Sequence, residues 1–420
     1  MRRAPVYTAI IGTLLLSAQW MSAGVSAAPL AEEYLTSGKL SDGVTALKSQ
    51  LKKAPDDDEA RFGLGVVQFF QSFEHLGSSL YKYGLRTEGA FGGMPAQFRE
   101  LLPQNPKPET ISYSDVRQIL QIWINDLNAA EKTLSAVKDP KVTLPLHVAK
   151  IKIDLIGTGS LRDVTYLMRT VNTPREREAA NKADKFVIGF DRGDADWLAG
   201  YCNFLAAWGE IMLAVDGQEI FNCTAHLYFE KVDTPYPFLL EGSRNFDDVW
   251  RFDRPLISDI LAFIHLWRFE MKEPARMKVA LAHLEDMQLH AKSMWKYYLA
   301  ETDDENEWIP NPKQTGVLRV KVSQEMLDTW LAVLDETGLV LQGKKLIPFW
   351  RGKPGKQGVN LRRVFTEPRI IDPFLWVQGT AAVPYLEEGP ITDFASPEML
   401  GRINSTFGGV RFFSMAFWFN

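Results

Sequence analysis

Apolar residues recur at steps of three and four through most of this 420-residue chain, and that spacing fits helices rather than strands. Val116, Leu120, Trp123, Leu127, Ala130, Leu134 and Val137 form one stripe, with Ser112 or Ser114 to cap it and Asp139-Pro140 to end it. Met277, Leu281, Leu284, Met287, Ala291, Met294 and Tyr298 mark a longer amphipathic helix. Another runs from a Ser323 cap through Met326, Trp330 and Leu334 to Gly338. Leu256 to Trp267 is apolar nearly all round, which predicts a central helix with His265 as a satisfied core histidine. With 46% hydrophobic and 24% charged residues, the chain has the balance of a globular protein and cannot be disordered, collagen-like or a coiled-coil rod throughout. An outer-membrane barrel would need a period of two and is excluded on the same grounds.

The texture changes after about residue 340. Lys345–Trp350 and Val359–Phe365 flank a turn-rich loop, Gly352 to Gly358, which predicts two short strands. Helices near 372–380 and 397–405 come next, and the apolar tail from Val410 to Phe419 should be buried. The expected fold is therefore mostly α. A repeat-like N-terminal segment docks on a helical body, and a small α+β portion closes the chain. The expected divisions are 1–27, 28–112, 113–342 and 343–420, with a Gly/Pro-rich connection at 86–112 and a short helix at 95–101.

In the 28–84 segment, Ala31, Tyr34, Gly38, Leu47 and Pro55 are followed by a second start, Ala60-Arg61-Phe62-Gly63-Leu64-Gly65. This spacing resembles a tetratricopeptide repeat over one and a half units, without the repeat's tryptophan. Small residues let paired helices approach closely, and the proline stops the second one. So few repeats cannot stand alone, and the segment must pack on the helices C-terminal to it. The resemblance implies a protein-binding architecture and a protein partner. As a whole, the chain resembles exported bacterial proteins of unassigned function.

Residues 1–27 read as a secretory signal. Arg2 and Arg3 precede a 14-residue uncharged run, Thr8 to Met21, and Val25-Ser26-Ala27 offers a cleavage site before Ala28. That run is short for a bilayer span, so an uncleaved anchor is the lesser alternative, and no later run predicts a transmembrane helix. The expected location is periplasmic or secreted. Such a compartment permits a disulfide between Cys202 and Cys223. Their heights on a helical hairpin turning near Asp216-Gly217 would differ by roughly 12 Å, which predicts two free buried thiols instead.

Motifs that carry chemistry are mostly absent. The chain has no His-Glu-x-x-His, Gly-x-Ser-x-Gly, Cys-x-x-Cys or phosphate-loop motif. His283 and His290 lie seven apart, about 10 Å along one helix, too far to share one metal. His226 and Glu230, four apart, are read as a helix-surface pair. Asp154 to Thr165 resembles a calcium loop of the EF-hand kind, with Asp154 first, Gly159 sixth and Leu161 eighth. Ile156 and Thr165 replace two of its carboxylate ligands, so a turn without an ion is expected, and Asp154 is only a weak metal candidate. Arg192-Gly193-Asp194 is given no function, and Asp194 is expected to cap the helix containing Trp197.

Two charged stretches remain. Glu301 to Glu307 carries acids just beyond a helix C-terminus, where negative charge is unfavourable and needs compensation. Either Asp303 caps a short following helix, or Asp303, Asp304 and Glu307 form a carboxylate site, catalytic or metal-binding, with Trp308 as a stacking platform. Residues 344–369 hold eight basic side chains against Glu367 alone, interleaved with Phe349, Trp350 and Phe365. Arg351, Lys353, Lys356, Arg362 and Arg363, with Trp350, are the candidates for binding anionic lipid or acidic glycan. The competing reading is a solvated hairpin paired with Glu387, Glu388 or the 301–307 run. With a net charge of −5, no nucleic-acid partner is expected. The leading expectation is a non-enzymatic, exported binding or scaffold protein with no cofactor. The alternatives are an envelope glycan or peptide hydrolase using paired carboxylates, and an anionic-surface binder.

Overall fold

The computed structural model describes residues 28–86, 103–163, 187–241, 254–304, 307–317, 321–351, 357–409 and 411–419. The expected signal segment and the short helix at 95–101 lie outside them. The fold is mostly α. It opens with α1 (Leu30–Ser37), α2 (Leu40–Lys53) and α3 (Asp58–Lys82), followed by α4 (Tyr113–Leu134). Short strands come next: β1 (Leu144–Leu146), β2 (Lys152–Ile153), β3 (Arg162–Asp163) and β4 (Ile188–Phe190). The central helices are α5 (Arg192–Ala214), α6 (Gln218–Thr224), α7 (Arg254–His265), α8 (Ala275–Ala300) and α9 (Gln324–Leu341). The chain closes with β5 (Ile347–Pro348), β6 (Gln357–Val359), α10 (Leu361–Thr366), α11 (Pro373–Gln378), β7 (Leu386–Glu388), α12 (Pro397–Phe407) and α13 (Arg411–Phe419).

Local chemistry sets the helix starts. Asp57 accepts from the Ala60 amide at α3, and Ser323 from the Met326 amide at α9. At α4, Ser112 and Asp115 cap each other reciprocally. Helix α2 stops two residues before Pro55, whose ring cannot continue it. Helices α3, α4, α5 and α8 then pack as neighbours in that order. A Cβ on Gly63 would stand 2.5 Å from the Ala31 Cβ, so α1 can rest on α3 only because both residues are small.

One core joins α1–α4, β1 and α5 through Leu35, Leu47, Phe62, Ile124, Leu134, Leu144 and Cys202. The N-terminal helices thus bury their apolar faces on the helical body. A second core, with Trp295, Tyr298, Trp330, Phe407, Phe412 and Phe419, joins α8, α9, α12 and α13. Helix α5 stands between them, and its Trp197 Nε1 donates to the Trp418 carbonyl at 2.9 Å. Strands β1 and β4 pair antiparallel with Leu144 opposite Phe190, and this delivers the chain to the start of α5. The C-terminal sheet has the antiparallel order β5-β6-β7. Cys202 and Cys223 are both free, the first buried and the second half-buried.

Several sequence expectations are corrected. Helix α7 is not central: Leu261 is 61% exposed, Ile257 and Ile264 also face out, and His265 is exposed. His226 meets Asp259 on α7, at 3.2 Å, while Glu230 points to solvent. Residues 361–366 form a helix because the Asn360 side chain caps the Arg363 amide. The expected second strand therefore ends at Val359, and a third strand, β7, pairs with it. Helix α9 runs past Gly338 to Leu341, since that glycine serves close packing on Gln288 rather than termination. The tail forms a helix whose Phe419 is buried and whose Phe417 is exposed. Among the described residues, no helix is long and apolar enough to cross a membrane.

Candidate functional site

The loop after α8 folds back on itself. Asn311 Nδ2 donates to the Tyr298 carbonyl at 2.8 Å, and Gln314 Nε2 reaches the Asp303 carbonyl at 2.9 Å and Glu301 Oε2 at 3.3 Å. The Val317 amide donates to the Glu307 carbonyl at 2.9 Å. This closure turns Glu301 and Glu307 inward, and Glu307 is only 5% exposed.

The facing wall is the start of α5. Asp191 caps it, accepting from the amides of Gly193 at 2.5 Å and Asp194 at 3.3 Å, while Asp194 Oδ2 accepts from the Asp191 amide at 3.0 Å. The capping residue is thus Asp191, and Asp194 sits in the first turn. Tyr298 donates its hydroxyl to Asp194 Oδ1 at 2.6 Å. A Cβ at Gly193 would fall 2.6 Å from the Tyr298 ring, so glycine is required for this approach. The C-terminal end of α8 therefore meets the N-terminal end of α5. The positive pole of α5 supplies the compensation that acids beyond a helix C-terminus need.

Carboxylate oxygens of Asp191, Glu301 and Glu307 lie within 4.8 Å of one another. Among the described residues, this is the one group able to share a hard, oxygen-seeking cation. The same closeness can be satisfied by protons. Burial, the hydrogen bond to Asp191 and the neighbouring carboxylates push Glu301 up to about 10. Burial raises Asp191 as well, although the Gly193 and Asp194 amides oppose it, and the same bond that raises Glu301 lowers Asp191. The two carboxyls are therefore set to share a proton at neutral pH. Asp194, fully buried beside Asp191 and Glu307, is held well above the usual carboxylate range.

Next to these acids is an apolar cavity of about 200 Å³. Phe62, Val66, Phe69 and Phe70 of α3 form one wall, and Leu146, Val148 and Ile151 form another. Phe190, Trp197, Leu198 and Trp308 complete it, and Asp194 is its sole acidic lining residue. The Trp308 ring lies 5.5 Å from Trp197 and 6.3 Å from Phe190, centroid to centroid.

Of the residues singled out in the sequence, Glu307 and Trp308 belong to this site. Asp303 and Asp304 do not join it: both are exposed, and Asp304 is spent on the Thr315 amide and hydroxyl at 2.7 and 2.9 Å. Asp304 is not helical and Glu307 lies in a bridge, so among the described residues no helix follows Asp303; Glu305 and Asn306 lie outside them. Asp154 keeps its turn by accepting from the Gly159 amide at 2.6 Å, and it lies outside the carboxylate group. Arg362 pairs with Glu285 at 2.6 Å, and Arg363 with Glu367 at 2.7 Å and Glu387 at 3.1 Å. These two arginines thus serve the fold rather than an open basic face. Trp350 is 50% exposed and Arg351 is exposed beside it, while Lys353 and Lys356 lie outside the described residues.

Sequence reasoning missed Asp191, Asp194, Glu301 and Tyr298 as a group. The available signal was an acid at a helix cap and another three residues on, ahead of an apolar run.

A second constellation has the outline of a nucleophilic triad. His290 Nδ1 lies 3.0 Å from Asp196 Oδ1, and its Nε2 lies 3.2 Å from Ser135 Oγ. The protonation runs against catalysis. Burial alone would depress His290, but hydrogen bonds to Asp196 and Glu131 outweigh it and raise the imidazole to about 9. A charged imidazolium cannot accept the Ser135 proton, and that hydroxyl is directed to Glu131 at 2.7 Å. Ser135 also sits at the C-terminal end of α4, among carbonyls rather than amide donors. The cluster acts as a clamp joining α4, α5 and α8. No family model, curated protein or solved structure matches the chain.

Proposed function

We propose that this protein is an exported, helical, non-enzymatic binding protein that takes a small apolar group into the cavity between α3 and α5. The observation that carries this reading is the cavity itself: about 200 Å³ with a wall almost wholly hydrocarbon. An apolar cavity of about 150 Å³ stays dry and binds benzene, so one of this size suits a single ring or a short alkyl chain. The N-terminal pattern of Arg2, Arg3 and the uncharged run after them supports export. The resemblance of residues 28–84 to helical repeats supports a binding role, since that segment supplies the α3 wall.

The hydrolase reading draws on the convergence of Asp191, Glu301 and Glu307. It is the weaker one, because Asp191 and Asp194 are consumed in capping α5 and Glu301 is tied to Gln314. An anionic-surface reading keeps one specific support: Trp350 and Arg351 stand beside α11, whose Phe374, Leu375 and Val377 are exposed.

The test is binding of a neutral hydrophobic dye, N-phenyl-1-naphthylamine, followed by its fluorescence. The unaltered protein should saturate at one dye per chain. Val66→Phe and, from the other wall, Val148→Phe should each weaken binding at least tenfold with unchanged far-ultraviolet circular dichroism. Equal binding by both filled variants would overturn the reading.

A further inference from the structure

We propose that the protein docks on anionic phospholipid bilayers through a face built from α7 and α11. Phe269 and Ile371 exchange both backbone hydrogen bonds, at 2.8 and 2.9 Å, in an antiparallel bridge. That register sets Trp267 and Arg268, just beyond α7, alongside Pro373 and Asp372, which open α11. Two apolar surfaces thus adjoin. On α7, Ile257, Leu261 and Ile264 are exposed at steps of four and three, and exposed Trp267 continues the row. On α11, Phe374, Leu375 and Val377 are exposed, Val377 at 79%, because Trp376 turns the other way to stack on Tyr385. Trp350 joins them, its Nε1 donating to the Val377 carbonyl at 3.1 Å. Single exposed apolar residues need no explanation, whereas a set gathered on two joined elements marks an interaction surface.

The rim of this face is cationic. Arg268, Arg351 and Arg369 are exposed, and none is ion-paired with a described residue. A Cβ on Gly379 would stand 3.0 Å from Arg351 Cγ, so the arginine stem crosses the C-terminal end of α11. The acids nearby are engaged elsewhere: Asp372 caps the Leu375 amide at 2.9 Å, and Glu367 is held by Arg363. Glu270 remains, against three arginines, in a protein of net charge −5. Apolar side chains projecting from a basic rim complement a layer of phosphates with hydrocarbon beneath it. The two tryptophans suit the headgroup level, where amphipathic rings partition. An acidic glycan would engage the arginines but leave Leu261, Leu375 and Val377 unused. None of these residues lines the cavity, so docking does not depend on what the cavity holds.

Co-sedimentation with vesicles tests this. The protein should bind vesicles of equal parts phosphatidylglycerol and phosphatidylcholine at least tenfold more tightly than vesicles of phosphatidylcholine alone, and added salt should weaken that preference. Leu261→Asp combined with Val377→Asp should cut binding at least tenfold, and so should Arg268→Glu combined with Arg351→Glu. All four side chains are exposed, so circular dichroism should be unchanged in both variants. Val66→Phe, which fills the cavity, should leave vesicle binding as it was. Absence of vesicle binding, or binding unaltered in both double variants, would overturn the inference while leaving the apolar cavity standing. A chain that ignores vesicles but forms a dimer lost in Val377→Asp would overturn it as well, giving the face to a second copy.

Discussion

The Tyr298 hydroxyl donates to Asp194 Oδ1 at 2.6 Å, deep between α8 and α5, with both residues out of solvent. This bond fixes the Asp194 carboxyl group, and it couples the end of one helix to the beginning of another. Tyr298→Phe removes the donor without changing the packed ring. A buried acceptor left short of a donor costs about 1–3 kcal/mol. Urea denaturation should therefore show a loss of that size with unchanged slope, and an unchanged midpoint would mean the bond is idle.

Glu301 gives the stability profile a defined sign. Its folded value, about 10, lies above its ordinary 4.5. The folded state thus holds the proton more tightly, and the group's contribution is fully present below about pH 4.5 and lost as pH rises through 10. Glu301→Gln imitates the protonated form permanently. The variant should be more stable than the parent at pH 8 and closest to it near pH 4.5. Thermal melts across that window check this, and parallel profiles for the two proteins would contradict it.

His290 titrates in the same direction for a different reason. Raised from 6.5 to about 9, it stabilises the fold as imidazolium, fully below pH 6.5 and progressively less up to pH 9. His290→Gln should be destabilised most at pH 6, and its deficit should shrink above pH 9. Nuclear magnetic resonance of the imidazole protons should place the titration well above 6.5. A midpoint at or below 6.5 would show that Asp196 and Glu131 do not hold the charge.

The long helices were legible because their stripes and caps are local: Ser112, Ser323 and the Met277–Tyr298 run announce themselves within a few turns. Helix α7 misled for the converse reason. Its apolar residues exceed what its neighbours cover, and sequence does not say which face stays open. The site was half legible. The acids after α8 stood out as unfavourably placed, but their compensation comes from Asp191 and the α5 N-terminus, more than a hundred residues earlier. The same distance hid the cavity, whose walls come from α3, the β1 region, α5 and Trp308. For the basic run after residue 340, the pairing of Arg363 with Glu387 was legible as one of two readings, whereas Glu285, the partner of Arg362, is brought to it only by folding.

Xenon under pressure probes the cavity without any assumption about the ligand. A crystal so treated should show one strong xenon peak bounded by Phe62, Leu146, Trp197 and Trp308, and Val66→Phe should abolish it. A site that is collapsed, or that holds ordered water and takes no xenon, would contradict the account.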